Sequence, residues 1–235
     1  MQAIADIATT INPGDSWHRE PPTPPMRNNQ RVSLATLDTS HPSVANAVKQ
    51  ARAWAARKRD SYDDASMVLS GPYGTGKTHI AKSILWSMTL KPDGHPNAAV
   101  PSGRFYLAND LLLKLSPTRD KATGIVDTPR PSSMIGNAPI VVIDDVGGQQ
   151  ILPYVAAADQ EHERHARYFR FIDFCYTAMV SVIITTNMSL DGLHGSEFGQ
   201  HIGGRAFDRL SEMAPKGFMI GLDDVPSWRQ KAGGR

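Results

Sequence analysis

The chain has 235 residues, long enough to bury a sizeable core without disulfides or metals, and its composition, 40% hydrophobic and 20% charged, excludes collagen-like, coiled-coil and wholly disordered classes. Twenty-five basic and 23 acidic side chains leave a net charge of +2, which excludes a large uniform positive field and confines any nucleic-acid contact to a local patch. The one cysteine, Cys175, excludes an intrachain disulfide and a cysteine-ligated zinc site.

Residues 1–31 read as an appendage to a body at 32–235. The N-terminus lacks the basic-then-apolar build of a signal peptide, and no stretch of about 20 apolar residues would span a membrane, so a cytoplasmic chain with no membrane contact is expected. Ile4, Ile7, Ala8 and Ile11 form one apolar helical face, ended by Asn12-Pro13-Gly14, and Pro21, Pro22, Pro24 and Pro25 then forbid regular helix or central strand. Two readings stand: a frayed tail, or a docking helix that folds onto a partner or onto the body. Further on, Ser43 reads as the N-cap of a helix reaching about residue 59, with Val44, Ala47, Val48, Ala51 and Trp54 on one face.

Five short strands follow, at 67–70, 104–107, 140–144, 182–186 and 218–222, separated by helix-length connectors. The alternation implies a parallel sheet with helices on both faces. After the first strand comes Gly71-Pro72-Tyr73-Gly74-Thr75-Gly76-Lys77-Thr78, which fits the phosphate-loop pattern G-x-x-x-x-G-K-[ST] at every fixed position, and a helix from His79 to about Met88 leads out. Its glycines let backbone N–H groups turn toward phosphate oxygens, and the helix N-terminus adds partial positive charge. Lys77 is a point charge for the β- and γ-phosphates, and Thr78 offers a hydroxyl to Mg2+. The third strand ends in Asp144-Asp145. A carboxylate at the end of a buried strand is costly unless it binds something. Asp144 suits the Mg2+ shell, and Asp145 suits a group that orients or deprotonates an attacking water; the plainer alternative has Asp145 only capping the loop at Val146-Gly147-Gly148.

Glu161-His162-Glu163-Arg164-His165 is not a metal site by spacing, since two residues rather than three separate the histidines; it reads as a solvated helix face. The helix it enters carries Tyr168, Phe169, Ile172, Cys175, Tyr176 and Met179 on its apolar side. The fourth strand ends in Asn187, whose amide can donate to a γ-phosphate and accept from a water. Arg205 and Arg209, four apart, share one face of a helix. They read either as arginines presented to a neighbouring subunit's γ-phosphate or as surface residues bridging Asp208 or Glu212.

In this order and spacing the motifs resemble those of an AAA+ ATPase. Residues 71–78 match Walker A, 140–145 Walker B, Asn187 sensor 1, and 204–210 the arginine-finger box. Ala35-Thr36-Leu37-Asp38, the Thr78-His79 pair, Ile-Asp-Asp-Val-Gly, Thr-Thr-Asn and Gly-x-Arg-x-x-Asp-Arg-Leu are similar to the DnaC/DnaI helicase loaders and their IstB relatives, as is the closing Ser227-Trp228-Arg229. The resemblance covers about residues 32–230. It implies a three-layer P-loop NTPase with a five-stranded parallel sheet, binding ATP or ADP with Mg2+ at Gly71, Pro72, Tyr73, Gly74, Thr75, Gly76, Lys77, Thr78 and His79. It further implies catalysis by Lys77, Asp145 and Asn187 in cis, metal binding by Thr78 and Asp144, and a finger supplied in trans by Arg209, with Arg205 the second choice. Arg229 takes a second-sensor role. The 104–107 strand followed by 109–115 and the 118–130 stretch sits where initiator-type relatives carry an extra helix that helps grip single-stranded DNA; Lys114, Arg119, Lys121 and Arg130 would supply phosphate contacts there, the alternative being a solvated loop.

Two departures from the family pattern stand out. Many loaders have Asp-Glu where this chain has Asp144-Asp145, one methylene shorter, which displaces the water or slows turnover, although initiator relatives also carry Asp-Asp. The short N-terminal region holds no cysteine-ligated zinc module, so helicase binding would rest on the apolar helix or the body. The expected function is loading of a replicative helicase onto DNA by a homo-oligomer; the alternative is an IstB-like helper of a transposase. A P-loop small-molecule kinase would leave Asn187 and the finger arginine unexplained.

Overall fold

The apolar runs at 140–143 and 182–184 lie side by side in the middle of a parallel sheet, where both faces of a strand are covered by helices. A computed structural model describes residues 33–60, 65–88, 103–119, 123–124, 126–147, 151–153 and 155–228. In chain order the main elements are α1 (Pro42–Asp60), β1 (Met67–Ser70), α2 (Lys77–Met88), β2 (Arg104–Leu107), α3 (Ala108–Lys114), β3 (Thr118–Arg119), β4 (Val126–Asp127), α4 (Pro131–Ile135), β5 (Ile140–Val146), α5 (Gln160–Thr177), β6 (Ser181–Thr186), α6 (Glu197–Ile202), α7 (Gly204–Met213) and β7 (Met219–Gly221). The five-stranded sheet has the order β2-β5-β6-β1-β7, with every pairing parallel. This is the three-layer α/β arrangement expected of the strand–helix alternation.

Successive residues of the strands feed opposite cores, as the two-residue period requires. Met67, Leu69, Ile140, Val142 and Ile183 pack with Trp54, Ile80 and Ile84 of α1 and α2. Val68, Val141, Ile143, Val182 and Ile184 pack with Leu111, Phe171 and Phe207 of α3, α5 and α7. Trp54 is fully buried and donates Nε1–H to the Ala65 carbonyl at 2.9 Å, so α1 is tied to the chain entering β1. Trp54→Ala removes the ring and its hydrogen bond to that carbonyl. The expected loss is about 3–5 kcal/mol, read as a lower denaturant midpoint with an unchanged slope.

Several expectations are corrected in detail. Helix α1 begins at Pro42, one residue before the expected cap. Proline's fixed φ suits the first helical position, the His41 ring nitrogen accepts from the Ser43 N–H at 3.3 Å, and the Ser43 hydroxyl instead donates to Asp224 at 2.7 Å. Of the region set against the extra helix of initiator-type relatives, 109–115 falls on α3 and its C-cap, whereas in 118–130 Thr118 faces Asp127 and Arg119 faces Val126 in an antiparallel pair. Pro117 and Pro129 bracket the stretch and Gly124 has φ +70°, conditions that favour a turn over a helix. Strand β5 runs two residues further than expected, to Val146. Met179 is exposed rather than packed, because α5 ends at Thr177 and Met179 takes φ +58° in the turn that follows. The expected helix at residues 4–11 lies outside the described residues.

The 161–165 run is less solvated than its charge suggests. Arg164 Nε donates to the His201 carbonyl at 3.0 Å, and the His165 ring nitrogen lies 2.8 Å from the Gln200 carbonyl. These contacts pin the end of α6 to α5. Gly203, between α6 and α7, has φ +87°, and a Cβ there would stand 2.7 Å from the His165 ring. Only glycine allows the turn that aims α7. Cys175 is buried in the α5 core, where burial pushes its thiol pKa up and leaves it inert.

Candidate nucleotide site

The C-terminal ends of β1, β5 and β6 meet at one edge of the sheet, where open parallel sheets place their ligands. The 71–78 loop leaves β1 there and enters α2 at Lys77. Gly71 has φ +138°, and a Cβ on it would lie 2.8 Å from the Leu222 backbone, so glycine lets the loop lie against the chain leaving β7. Gly74 and Gly76 also have positive φ. The Thr75 hydroxyl donates to the Pro72 carbonyl at 3.0 Å, and Lys77, only 7% exposed, donates Nζ–H to the carbonyls of Gly71 at 2.6 Å and Pro72 at 2.7 Å. The lysine is thus folded over its own loop. Tyr73 stands at the tip, 60% exposed.

Asp144 is buried, and its Oδ1 accepts from the Thr78 hydroxyl at 2.8 Å and the Thr185 hydroxyl at 2.6 Å. Among the described residues its Oδ2 has no hydrogen-bond partner and the carboxylate pairs with no Lys, Arg or His. A buried carboxylate without a cation is costly, and one free carboxylate oxygen beside a hydroxyl suits Mg2+, which keeps several waters and takes its other ligands from phosphates. The donor set of Thr78 and Asp144 therefore fits that ion.

Asp145 sits where β5 loses register, between Ile143 and Val146, and adopts φ +60°. A non-glycine residue in that region is strained, and such strain clusters at functional sites. The conformation turns the Asp145 carboxylate outward while its N–H donates to the Thr185 hydroxyl at 2.9 Å. Asn187 Nδ2 donates to Asp145 Oδ1 at 2.9 Å, joining the ends of β5 and β6. Thr185 belongs to the site although no motif assigns it a role. Its hydroxyl donates to Asp144 and accepts from Asp145 N–H. The available signal was a hydroxyl inside a fully buried strand, which must find a partner.

The remaining residues fall around this centre. The His79 ring nitrogen lies 3.2 Å from both the Ser33 carbonyl and the Thr36 hydroxyl, so His79 ties α2 to the turn at Leu34–Thr36. On the other side Trp228 N–H donates to the Gly74 carbonyl at 3.0 Å. Arg229 follows directly but lies outside the described residues, as does Lys121. Lys114 is exposed at the end of α3, and Arg119 lies in β3.

Arg205 and Arg209 are not brought to the loop of their own chain. Arg205 is exposed and stacks on Phe169, 3.8 Å from the ring centre. Arg209 donates Nε–H to Asp173 at 3.1 Å, lies 3.5 Å from Glu212, and rests on Tyr176 at 4.7 Å. Its hydrogen bond to Asp173 raises its pKa further above the ordinary range. The two arginines, with Phe169, Asp208, Ser211 and Glu212, line an open hollow of about 520 Å³.

Residues 61–214 match the family described as IstB-like ATP binding protein. A solved DnaC helicase loader superposes with a TM-score of 0.57 at 19% identity, over 82% of this chain and 97% of that one. A solved DnaI gives 0.55 at 16% identity, over 84% and 90%. A putative primosome component from Streptococcus pyogenes serotype M3 gives 0.56 at 14% identity, over 82% and 86%. At these identities the likeness is one of fold. Curated proteins show no significant sequence match. Among the described residues, no helix is long and apolar enough to cross a membrane.

Proposed function

The chain belongs to the IstB-like ATP-binding family and has the AAA+ P-loop fold, and from that premise we propose that it hydrolyses ATP as a homo-oligomer that loads a replicative helicase onto single-stranded DNA. The observation that carries the ATP reading is the buried Asp144 carboxylate, held by Thr78 and Thr185 beside the phosphate loop with Oδ2 left for a cation. In this reading the loop amides and Lys77 hold the β- and γ-phosphates. Thr78 and Asp144 hold Mg2+, which neutralises charge on the phosphates when bound. Asp145, oriented by Asn187, accepts a proton from the attacking water. Its short side chain is offset by the left-handed backbone, which carries the carboxylate outward from the strand end. Arg209 completes the site of a neighbouring copy, with Arg205 the second choice, because both rest on side chains of α5 and not at the loop of their own chain. Residues 1–31 serve as the partner-docking appendage to an ATPase body at 32–235.

Assembly tests the oligomer. A slowly hydrolysed ATP analogue with Mg2+ is expected to raise light scattering several-fold over the nucleotide-free protein; a strict monomer at high protein concentration rejects a finger in trans. The family match also favours a second reading, an ATPase helper of a transposase. Affinity capture with ATP present separates the two: a hexameric helicase supports loading, and a transposase supports the helper role.

A further inference from the structure

We infer that the outward face of α1 is a second nucleic-acid surface, one that binds the phosphodiester backbone of duplex DNA away from the nucleotide site. The inference rests on the proposal that this protein acts on DNA, but on none of the residues assigned to ATP. Helix α1 carries Lys49, Arg52, Arg57, Lys58 and Arg59, with no acidic residue before Asp60 at its end. The chain as a whole has an excess of only two positive charges, so the rest of it is on balance acidic and the basic character is concentrated here.

The helical period sorts these residues. Val44, Ala47, Val48, Ala51, Trp54 and Ala55 are buried against the sheet. Lys49, Arg52, Ala53, Ala56 and Arg57 are exposed on the opposite side. Neither Lys49 nor Arg52 has an ion pair or hydrogen bond among the described residues. A hollow of about 310 Å³ lies beside them, lined by Thr39, Ala45, Val48, Lys49 and Arg52 and by no carboxylate. Two cations and a hydroxyl thus surround a floor of small side chains that lets an anionic group approach closely. That combination suits phosphate, with Arg as a planar donor and Lys as a point charge.

The same face argues for duplex DNA over other anionic partners. The exposed large apolar side chains among the described residues are Tyr73, Leu107, Leu113, Val126, Ile151 and Met179, none of them on α1. A protein interface would need an apolar centre. A membrane surface would need an apolar side chain to insert. Single strands are gripped by aromatic stacking, and α1 exposes no aromatic ring. Backbone phosphates alone match what the face presents.

The test measures affinity of the full chain for a 30-bp duplex across a salt series, with ATP binding as a control. Lys49→Ala with Arg52→Ala is expected to weaken duplex binding on the order of tenfold and to lower the slope of log K against log salt by about 1.8, the value for two lost phosphate contacts. ATP affinity stays at the wild-type value. Lys49→Arg with Arg52→Lys keeps both charges and is expected to retain the slope. Wild-type affinity and slope in the double alanine variant overturn the inference while leaving the DNA role in place; failure of the unaltered chain to bind any DNA overturns both. Loss of binding to phosphatidylserine vesicles in the alanine variant, with duplex binding unchanged, reassigns the face to a lipid surface and also overturns the inference.

Discussion

Lys77→Ala is expected to abolish nucleotide binding without unfolding the protein. Lys77 is the one cation of the 71–78 loop, and in this structure its ammonium is satisfied by the carbonyls of Gly71 and Pro72. In the proposed function those bonds are exchanged for charge-assisted bonds to phosphate. Removing about two such bonds, at roughly 1.5–3 kcal/mol each, weakens ATP on the order of a hundredfold or more. The structural cost is small by comparison, because the loop shape is set by its glycines and by the Thr75-to-Pro72 bond, neither of which uses the lysine. Titration calorimetry reads the affinity and thermal unfolding reads the fold. Near-native ATP affinity in a folded Lys77→Ala variant sinks the assignment of this loop as the phosphate site.

Arg209→Ala is expected to leave ATP binding intact and to lower kcat by about a thousandfold, the usual effect of removing a finger arginine. In the single chain the Arg209 charge is answered by Asp173 and Glu212 and its face is covered by Tyr176. These are solvent-exposed contacts, weak enough to be given up when a neighbouring phosphate competes for the guanidinium. A mixing experiment isolates the trans role. Lys77→Ala subunits have no working site but keep the finger; Arg209→Ala subunits have a site but no finger. Mixed, they are expected to recover a fraction of wild-type turnover that neither shows alone. Full turnover by Arg209→Ala, together with its loss in Arg205→Ala, moves the role to Arg205. Full turnover in both variants ends the finger proposal.

How far the site can be read from the sequence depends on the distance over which each feature is determined. The phosphate loop is local: eight consecutive residues carry the glycines that permit positive φ, the lysine that begins α2 and the threonine after it. The polar residues that close the apolar runs, Asp144 within β5 and Asn187 just past β6, are nearly as local, since an apolar run that stops at a polar residue marks where a buried strand nears the sheet edge. Features set by long-range packing were not legible. Thr185 meets Asp144 across 41 residues of sequence, and its hydroxyl inside β6 gives no hint of which strand will lie beside it. The left-handed conformation of Asp145 follows from a register irregularity between β5 and β6, which exists only once the two are paired. Arg209 is joined to Asp173 because Gly203 turns α7 back across α5, 36 residues upstream.

The amino-acid sequence by itself determined the α/β class, the order of the strands along the chain, the two-sided burial of the central strands and the chemistry of the nucleotide loop. All of these follow from local spacing of apolar residues, glycines and caps. The tertiary structure decided the rest: that Thr118–Arg119 pairs with Val126–Asp127, that the 161–165 run anchors α6, and that Arg209 is held by acids of its own chain. It also decided that Lys49 and Arg52 of α1 stand exposed beside one hollow. The reason is physical. Spacing along the chain sets backbone conformation within a few residues, whereas the partner of a buried hydroxyl, a strained aspartate or a surface arginine is chosen by which elements pack together.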